Sequence, residues 1–500
     1  MIKGRAGNGG SSFGHLFLPL LVLGLITGLV SAASPKARAD GAHKHRERTD
    51  RRIERVMAEV AAGTAPASAP ASPSGSRVYH VTDYGADPTG SADSTSAIRR
   101  AISDAFNAPS DHDLMAGIKD VGGAELHLDG GSYLISNPVA LPSSGGGNFR
   151  IHGGSLRASD DFPTDRYLIE LWSSAASSSQ SARAAANATE LLSTSGYDYE
   201  YITLRDLMLD ANYRGGGVAV VNSLRTTIDN CYIVHFESDG VWVKGGHETF
   251  IRGNYIGQHI TAGGDPGERN FSGNGINLNG NDNAVTDTVI FSAATGVLVS
   301  GQANTLTGVH CYNKATAFGG TGIYLKLPNL TQTRIVNCYL DFTSIVSEDP
   351  VQLVVSNSFF LGGGNVVFKS VKGVIKSVNV VDNLFSGGKG TDIVRLDETN
   401  GGFTDVDGVF VERNGVDGMT ARSTAARATV KSNGTTWTVD FSPVLLFPNR
   451  IDHVLYSLQA ESGFPNHALR NVSSNRVVIQ ADVAGLVQAT VHVEVDQAGG

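Results

Sequence analysis

Between about residues 202 and 397 the chain repeats one pattern of apolar and polar positions. Each repeat first alternates apolar residues, then places an Asn or Asp before a second apolar pair, as in 227–233 and 334–340. A second strand pattern begins with a glycine in each of five repeats, at Gly217, Gly240, Gly275, Gly296 and Gly322. These glycines are 21–26 residues apart except for one step of 35. Such a period, with two short strands per step, predicts a solenoid whose repeats bury their apolar faces against one another.

The predicted fold is all-β: a right-handed parallel β-helix over 78–400. The regular Leu pattern of leucine-rich repeats is absent, and the crossover rule sets the hand. Residues 94–107 carry apolar side chains on one helical face, which predicts an N-terminal capping helix. The segments 436–441 and 489–495 alternate cleanly, so residues 401–500 are expected to form a β-rich C-terminal cap of antiparallel strands.

The N-terminal segment has the features of a targeting sequence. A short basic stretch precedes an apolar run and a small-residue cleavage site, so we expect residues 1–33 to be a cleaved signal peptide. Residues 34–77 are basic and then rich in Ala, Pro and Ser, as in a flexible linker. A secreted, extracellular protein without a stable membrane span is therefore expected. Five Asn-x-Ser/Thr sequons are candidate glycosylation sites, at Asn187, Asn270, Asn329, Asn433 and Asn471.

Composition and charge exclude several classes of protein. Glycine makes up 60 of 500 residues and charged residues only 17%, which argues against a helical bundle or a coiled coil. The net charge is −9, with +2 on residues 1–33 and +4 on 34–56, leaving −15 for the rest. So acidic a body argues against a nucleic-acid partner. Of the three cysteines, Cys231 and Cys311 lie about three rungs apart in the predicted solenoid, and Cys311 and Cys338 come from adjacent rungs but differ in phase, so we expect buried free thiols.

One segment carries a family resemblance. Residues 84–98, beginning Tyr-Gly-Ala-Asp-Pro-Thr-Gly, resemble the opening of the pectate-lyase-superfamily β-helix enzymes, and 122–135 look like their first rung. With its long β-helix body, the chain is most similar to the plant QUARTET-type polygalacturonases, a divergent branch of the pectin-hydrolysing glycoside hydrolases. The resemblance implies a secreted enzyme that cuts α-1,4-galacturonosyl bonds of pectin in the cell wall.

The catalytic motifs of common polygalacturonases can be aligned with the glycine-led strands. Asp239, before Gly240, matches the aspartate of the first motif, and Lys326 matches the lysine of the last. The paired aspartates are absent at Asn274, and the histidine is absent at Thr295. We therefore expect Asp239 to be one catalytic carboxyl group.

The 35-residue step inserts a loop where the paired aspartates are missing. This loop contains Asp265 and Glu268, and loops on a rigid solenoid often carry function. We expect one of these two carboxylates to be the second catalytic group, without saying which member of the pair is the acid. A polar loop glycosylated at Asn270 explains the same residues equally well.

The outward positions of the glycine-led strands are expected to bind the substrate. Because strand side chains alternate, one strip collects two cations, two aromatic rings and two amides, from Trp242, Lys244, Asn277, Asn279, Tyr324 and Lys326. Aromatic rings stack on sugars and lysines pair with uronate carboxylates. The sequence has no Cys/His spacing typical of zinc, so no metal site or cofactor is predicted, and a monomer is expected.

Two alternatives to hydrolysis stay open. A Ca²⁺-dependent pectate lyase would need several converging carboxylates and an arginine, which Asp239 and the loop carboxylates with Arg252 or Arg269 could supply. A non-catalytic pectin-binding wall protein would keep the strip but lack a working acid and base.

Overall fold

The structure is a computed structural model that describes residues 77–107, 112–172, 196–259, 271–312, 319–326, 328 and 331–498. The predicted signal peptide and all but the last residue of the predicted linker lie outside these residues. So do the loop carboxylates Asp265 and Glu268 and three of the candidate glycosylation sites, Asn187, Asn270 and Asn329. No helix in the described part is long and apolar enough to cross a membrane.

The described chain from 78 to 417 coils through three parallel sheets. In each rung the chain passes from a strand of the first sheet to a strand of the second and then to a strand of the third. The strands of the first sheet are β1 (Val78–His80), β3 (Ile118–His127), β6 (Gly146–Ala158), β8 (Tyr199–Asp210), β11 (Thr227–Asp229), β14 (Phe250–Arg252), β17 (Ala284–Thr286), β20 (Thr305–Thr307), β23 (Thr333–Val336), β26 (Val351–Ser356), β29 (Val374–Val381) and β32 (Asp405–Glu412).

The second sheet includes the later parts of the long strands β6 and β8. Its other strands are β4 (Ser132–Ile135), β12 (Tyr232–Val234), β15 (Tyr255–Gly257), β18 (Val289–Phe291), β21 (His310–Tyr312), β24 (Tyr339–Asp341), β27 (Phe359–Leu361), β30 (Leu384–Ser386) and β33 (Gly415–Asp417).

The third sheet contains the predicted glycine-led strands. Its strands are β5 (Val139–Ala140), β7 (Tyr167–Leu171), β9 (Gly216–Val221), β13 (Asp239–His247), β16 (Asn274–Asn281), β19 (Thr295–Val299), β22 (Thr321–Leu325), β25 (Ile345–Glu348), β28 (Val366–Lys369) and β31 (Val394–Asp397). The short strand β10 (Ser223–Leu224) pairs with β8 and β13, and β2 (Asp113–Met115) pairs antiparallel with β3.

Every pairing between strands of consecutive rungs in 202–397 is parallel, which confirms the predicted parallel β-helix. The core forms because apolar side chains at the same position of successive rungs stack inward. In the third sheet, for example, Val218, Val241, Ile276 and Val297 are in register and fully buried. Such stacking gives each rung the cover that a single repeat lacks.

The turn between the first and second sheets shows why asparagines recur there. Asn230 and Asn337 have φ angles of 50° and 56°, in the left-handed region that asparagine tolerates better than most residues. Asn254 is buried instead, where its amide donates to the Ile228 carbonyl and accepts from the Cys231 N–H of the preceding rung. The repeated asparagines therefore have two roles: some adopt the left-handed conformation that the turn requires, and others hydrogen-bond to the backbone of the preceding rung.

Both ends of the solenoid are covered as predicted. The helix α1 (Thr95–Asn107) buries Ile98, Ile102 and Phe106 against the first rungs, and Phe106 packs edge-on against Phe149. A 3-10 helix (Val81–Tyr84) precedes it. At the other end, two three-stranded antiparallel sheets share a separate apolar core. Their strands are β34 (Ala425–Gly434), β35 (Thr436–Asp440), β36 (His453–Ala460), β37 (Asn466–Ser473), β38 (Arg476–Asp482) and β39 (Val487–Asp496).

The change from parallel to antiparallel strands comes later than residue 400. Strands β32 and β33 still pair in parallel with β29 and β30, so rungs continue to Asp417. The clean alternation that marks the cap in the sequence begins only beyond them.

The three cysteines are buried free thiols, as expected. Cys231 and Cys338 occupy the same turn position as Asn254 in other rungs, between the first and second sheets. Burial raises the pKa of Cys231 to about 12, so this thiol stays protonated and unreactive.

Candidate active site

The centre of the candidate site is Asp239, the first residue of β13. Register places it beside Asn274 at the start of β16 on one side and beside the start of β9 on the other. Its side chain is buried, with 7% of the residue exposed. The resemblance to the polygalacturonases led to this residue, because the first motif of that family falls on the residues before Gly240 and its aspartate matches Asp239.

Three side chains donate hydrogen bonds to the Asp239 carboxyl group. The Tyr167 hydroxyl lies 2.9 Å from Oδ2, and Nδ2 of Asn274 lies 2.7 Å from Oδ1. Nδ2 of Asn277 is 3.4 Å from both oxygens. Burial raises the pKa of Asp239, and the three donors offset that effect only in part. The site therefore holds a carboxyl group that gains a proton more readily than an ordinary aspartic acid.

Tyr167 reaches Asp239 from two rungs away, across the intervening strand β9. The residue between them is Gly216, in register with Tyr167. A Cβ atom there would lie 2.2 Å from the Tyr167 ring and 2.7 Å from the Asp239 carbonyl oxygen. Glycine at 216 is what allows the tyrosine ring to pass over the strand and reach the carboxyl group.

An aromatic wall stands next to this carboxyl group. The rings of Tyr167 and Trp242 are stacked, with centroids 5.7 Å apart, and Trp172 meets Trp242 edge-on at 5.8 Å. The Lys244 ammonium lies 5.4 Å from the centroid of the Trp242 ring. Both tryptophans are partly exposed. The surface thus offers flat apolar rings and a positive charge within one or two rungs of Asp239, which suits a sugar that carries a carboxylate.

The predicted binding strip exists as a register but divides into two groups. Val241 and Val243 point inward, and Trp242 is in register with Asn277, Leu298 and Tyr324 on successive rungs. Asn277 bonds to Asp239, Trp242 stacks on the Tyr167 ring and Lys244 lies over Trp242, while exposed Asn279 is opposite Lys244. Three rungs, at ~4.8 Å each, separate Trp242 from Tyr324.

The second group is organised around its own carboxylate. The Tyr324 hydroxyl donates to Oε1 of Glu348 at 2.7 Å, and the Lys369 ammonium contacts the same oxygen at 3.1 Å. Lys326 follows Tyr324 at an exposed position just after β22. Because Glu348 already engages the tyrosine and Lys369, this group is a fixed ion-pair cluster beside the strip.

Sequence reasoning missed Tyr167 and Trp172, which belong to rungs before the first recognised glycine. Strand β7, which contains Tyr167 and ends just before Trp172, is buried throughout and shows no alternation, so the register that identified Asp239 did not extend to it. The only sequence signal for this part of the site was Trp172 itself, because the chain has just three tryptophans.

Two carboxylates on nearby strands are engaged by other partners. Glu170, on the same strand as Tyr167, is buried in a bidentate ion pair with Arg166. Asp210 accepts a hydrogen bond from Nδ1 of His235 at 2.7 Å. Within the described residues, no second carboxylate is hydrogen-bonded to Asp239.

The turns before β9 and β13 hold a separate polar network. The Tyr213 ring packs on the rings of His235 and His259, and its hydroxyl lies 3.2 Å from Nδ1 of His259. His259 is the last described residue before the inserted loop.

Two candidate glycosylation sites can also be placed: Asn433 and Asn471 are both exposed on the C-terminal sheets.

Comparison with known proteins identifies the family. A family model described as rhamnogalacturonase A/epimerase, pectate lyase-like, matches residues 78–324. Polygalacturonase QRT3 of Arabidopsis thaliana is 60% identical over 427 residues, which cover 85% of this chain and 85% of that protein.

Solved structures with similar folds are far more distant in sequence. The A-module of mannuronan C-5 epimerase AlgE6 from Azotobacter vinelandii is 13% identical and covers 68% of this chain and 98% of its own, with a TM-score of 0.43. ORF18 of Geobacillus virus E2 is 11% identical, covers 82% of this chain and 78% of its own, and gives a TM-score of 0.47. Identities this low say nothing about the reaction. The 60% identity over most of both chains does identify the family, and the protein belongs to the QUARTET-type polygalacturonases, a branch of the pectate-lyase-superfamily β-helix proteins.

Proposed function

We propose that the protein is a secreted polygalacturonase that hydrolyses α-1,4-galacturonosyl bonds of pectin in the extracellular cell wall. The relative that shares 60% identity carries the name polygalacturonase, and the matching family model describes pectate-lyase-like enzymes. The observation that carries the proposal is the setting of Asp239, a buried carboxyl group beside an aromatic and cationic surface.

Asp239 is proposed as the general acid that protonates the leaving oxygen. A general acid must hold its proton until the glycosidic bond breaks, and burial raises the pKa of this carboxyl group. The cause is loss of solvation, not the charge of a second carboxylate. Tyr167 suits this role because its hydroxyl can donate to the ionised carboxylate and, after rotation, accept from the protonated acid.

The base is proposed to come from the inserted loop, as Asp265 or Glu268. Inverting glycosidases place the two carboxyl groups roughly 6.5–9.5 Å apart, with a water molecule between base and sugar. The support is the position of the described residue Asn274, which follows the loop in sequence and lies beside Asp239 in register.

Substrate binding is assigned to the strip nearest Asp239. Trp242 and Trp172 offer ring faces and edges for stacking against a pyranose. Lys244 is placed to pair with a uronate carboxylate, and Asn277 can donate a hydrogen bond to a hydroxyl or carboxylate oxygen. Asn279, Tyr324 and Lys326 would extend the contact along the polymer.

Product chemistry tests the proposal. The purified protein should release reducing ends from polygalacturonate without new ultraviolet absorbance, and a chelator should leave the rate unchanged. Absorbance that disappears with chelator would instead identify a Ca²⁺-dependent lyase. Binding without any product would identify a pectin-binding protein, the alternative favoured by the absence from the sequence of the paired aspartates and the histidine of the common motifs.

A further inference from the structure

A second cluster of chemically active side chains lies at the N-terminal end of the solenoid, on the first sheet and apart from the strand of Asp239. Strand β1 pairs in parallel with β3, and the register places His80 directly opposite His127. Both side chains point outward and are partly exposed. The two residues are 47 positions apart in sequence, so only the pairing of rungs brings them together.

Asp129 completes the cluster. It follows β3 with a φ angle of 51°, in the left-handed region, and this turn folds its carboxylate back toward the two rings. Oδ1 lies 2.6 Å from Nδ1 of His80 and 2.6 Å from Nδ1 of His127. The three atoms lie within 4.8 Å of one another.

One carboxylate oxygen faces both imidazole rings. Oδ1 of Asp129 is within hydrogen-bond distance of Nδ1 of each histidine, so both nitrogens and the oxygen point toward a common position. With each histidine in the tautomer that leaves Nδ1 unprotonated, a metal ion at that position would take both nitrogen lone pairs and the carboxylate charge.

We propose that His80, His127 and Asp129 bind a divalent transition-metal ion of the zinc type. Two imidazole nitrogens and one carboxylate oxygen form a donor set that suits Zn²⁺ better than Ca²⁺ or Mg²⁺, which prefer oxygen ligands. Three protein ligands leave a fourth position for water. Tetrahedral ligand atoms at ~2.0–2.2 Å from the ion lie roughly 3.3–3.6 Å from one another, so the present 2.6 Å contacts would open by roughly 0.7–1 Å, which partly exposed side chains can accommodate by rotation.

The surroundings support the carboxylate and define which residues belong to the site. The Thr82 hydroxyl donates to Oδ2 of Asp129 at 3.1 Å, an outer contact of the kind that orients a ligating carboxylate. His152 continues the column on the next rung, with its ring 4.7 Å from that of His127. Its Nε2 contacts Glu125 at 3.1 Å, so we place His152 outside the ligand set.

The bound ion would cross-link the first two strands of the first sheet, β1 and β3. Strand β1 has only three residues and pairs, within the described chain, with β3 alone. A metal that joins His80 to His127 and Asp129 ties this edge strand to the next rung. The site is independent of the proposed hydrolase activity, so its failure and the failure of that activity are separate results.

Zinc titration of the full chain tests this inference. Isothermal calorimetry should show one Zn²⁺ site that His80→Gln and His127→Gln each weaken at least tenfold, while Zn²⁺ raises the Tm of the wild type but not of the variants. The matched control is His112→Gln: His112 also contacts an aspartate, at 2.8 Å from Asp120, but within the described chain it belongs to no group of three potential ligands. Its zinc affinity should equal that of the wild type.

Two further measurements distinguish the loss of a metal ligand from a general loss of structure. Circular dichroism confirms that each variant folds, and Asp129→Asn, which keeps the shape but removes the charge, should also weaken Zn²⁺ binding. Co²⁺ should give a visible absorption band that both histidine variants lose. Equal zinc affinity in the wild type and in both histidine variants, or no rise of Tm with zinc in the wild type, would overturn the proposal.

Discussion

Replacing Tyr167 with phenylalanine removes one hydroxyl from the candidate site and leaves the ring that stacks on Trp242. The lost hydrogen bond, 2.9 Å to Oδ2 of Asp239, is made in a buried environment. A hydrogen bond to a charged group contributes about 1.5–3 kcal/mol, against about 0.5–1.5 kcal/mol for a neutral one. The ionised form of Asp239 therefore loses more than the protonated form, by ~1–1.5 kcal/mol.

This difference changes the pH dependence in a defined direction. Losing the donor raises the pKa of Asp239 further, because the ionised state is penalised more than the protonated state. If Asp239 is the general acid, activity declines as the pH rises through that pKa. The alkaline limb of kcat against pH should then move upward by about one pH unit in Tyr167→Phe, at 1.36 kcal/mol per unit.

The assay is polygalacturonate hydrolysis measured across the pH range, with Tyr199→Phe as the control. Tyr199 is equally buried, but its hydroxyl donates to the carbonyl oxygen of Pro142, at 3.0 Å, and not to a carboxylate. The control should lose some stability, ~1 kcal/mol, and keep its pH profile. An alkaline limb that stays in place in Tyr167→Phe, or that moves equally in both variants, would refute the assignment of Asp239 as the acid.

Further substitutions test the binding strip and the packing of the site. Lys244→Ala and Lys326→Ala should each weaken polygalacturonate binding about fivefold (~1 kcal/mol), with the loss shrinking at high salt; unchanged binding in both would place the cleft on another sheet. Trp242→Ala should weaken binding at least as much, measured by affinity electrophoresis, through lost stacking. Gly216→Ala places a Cβ 2.2 Å from the Tyr167 ring that crosses it. The substitution should lower the free energy of unfolding, measured with denaturant, by ~1–3 kcal/mol and should remove most of the activity. In the control Gly388→Ala, the added Cβ meets nothing within 4 Å, so stability and activity should stay unchanged. Equal stability and activity in the two variants would contradict the close packing of Tyr167 on Gly216.

The β-helix could be predicted from the sequence because its stabilising unit is periodic. Each rung repeats the alternation that buries residues such as Val241 and Ile276, so the signal grows with every copy. The same register located Asp239 and its neighbour Asn277. The end of the parallel rungs was placed too early, at residue 400: residues 409–416 still repeat the alternation and the asparagine of earlier rungs, although no strand of the third sheet follows them in the described chain.

Other parts of the site depend on contacts that periodicity does not encode. Tyr167 reaches Asp239 only because Gly216 leaves space on the strand between them, a relation between three rungs. His80 and His127 converge through strand pairing across 47 positions, which no ligand spacing in the sequence indicates. The assignment of Asp265 or Glu268 as the base stays a prediction, since the loop lies outside the described residues.

The most direct test of the account is turnover and binding measured together in Asp239→Asn. The substitution keeps the size of the side chain but removes the acidic proton, so the account predicts loss of reducing-end release by several orders of magnitude with polygalacturonate affinity close to that of the wild type. Asp265→Asn and Glu268→Gln, measured in parallel, should include at least one variant with the same pattern. Near-normal activity in Asp239→Asn would contradict the account, because the buried carboxyl group at the centre of the site would then take no part in the reaction.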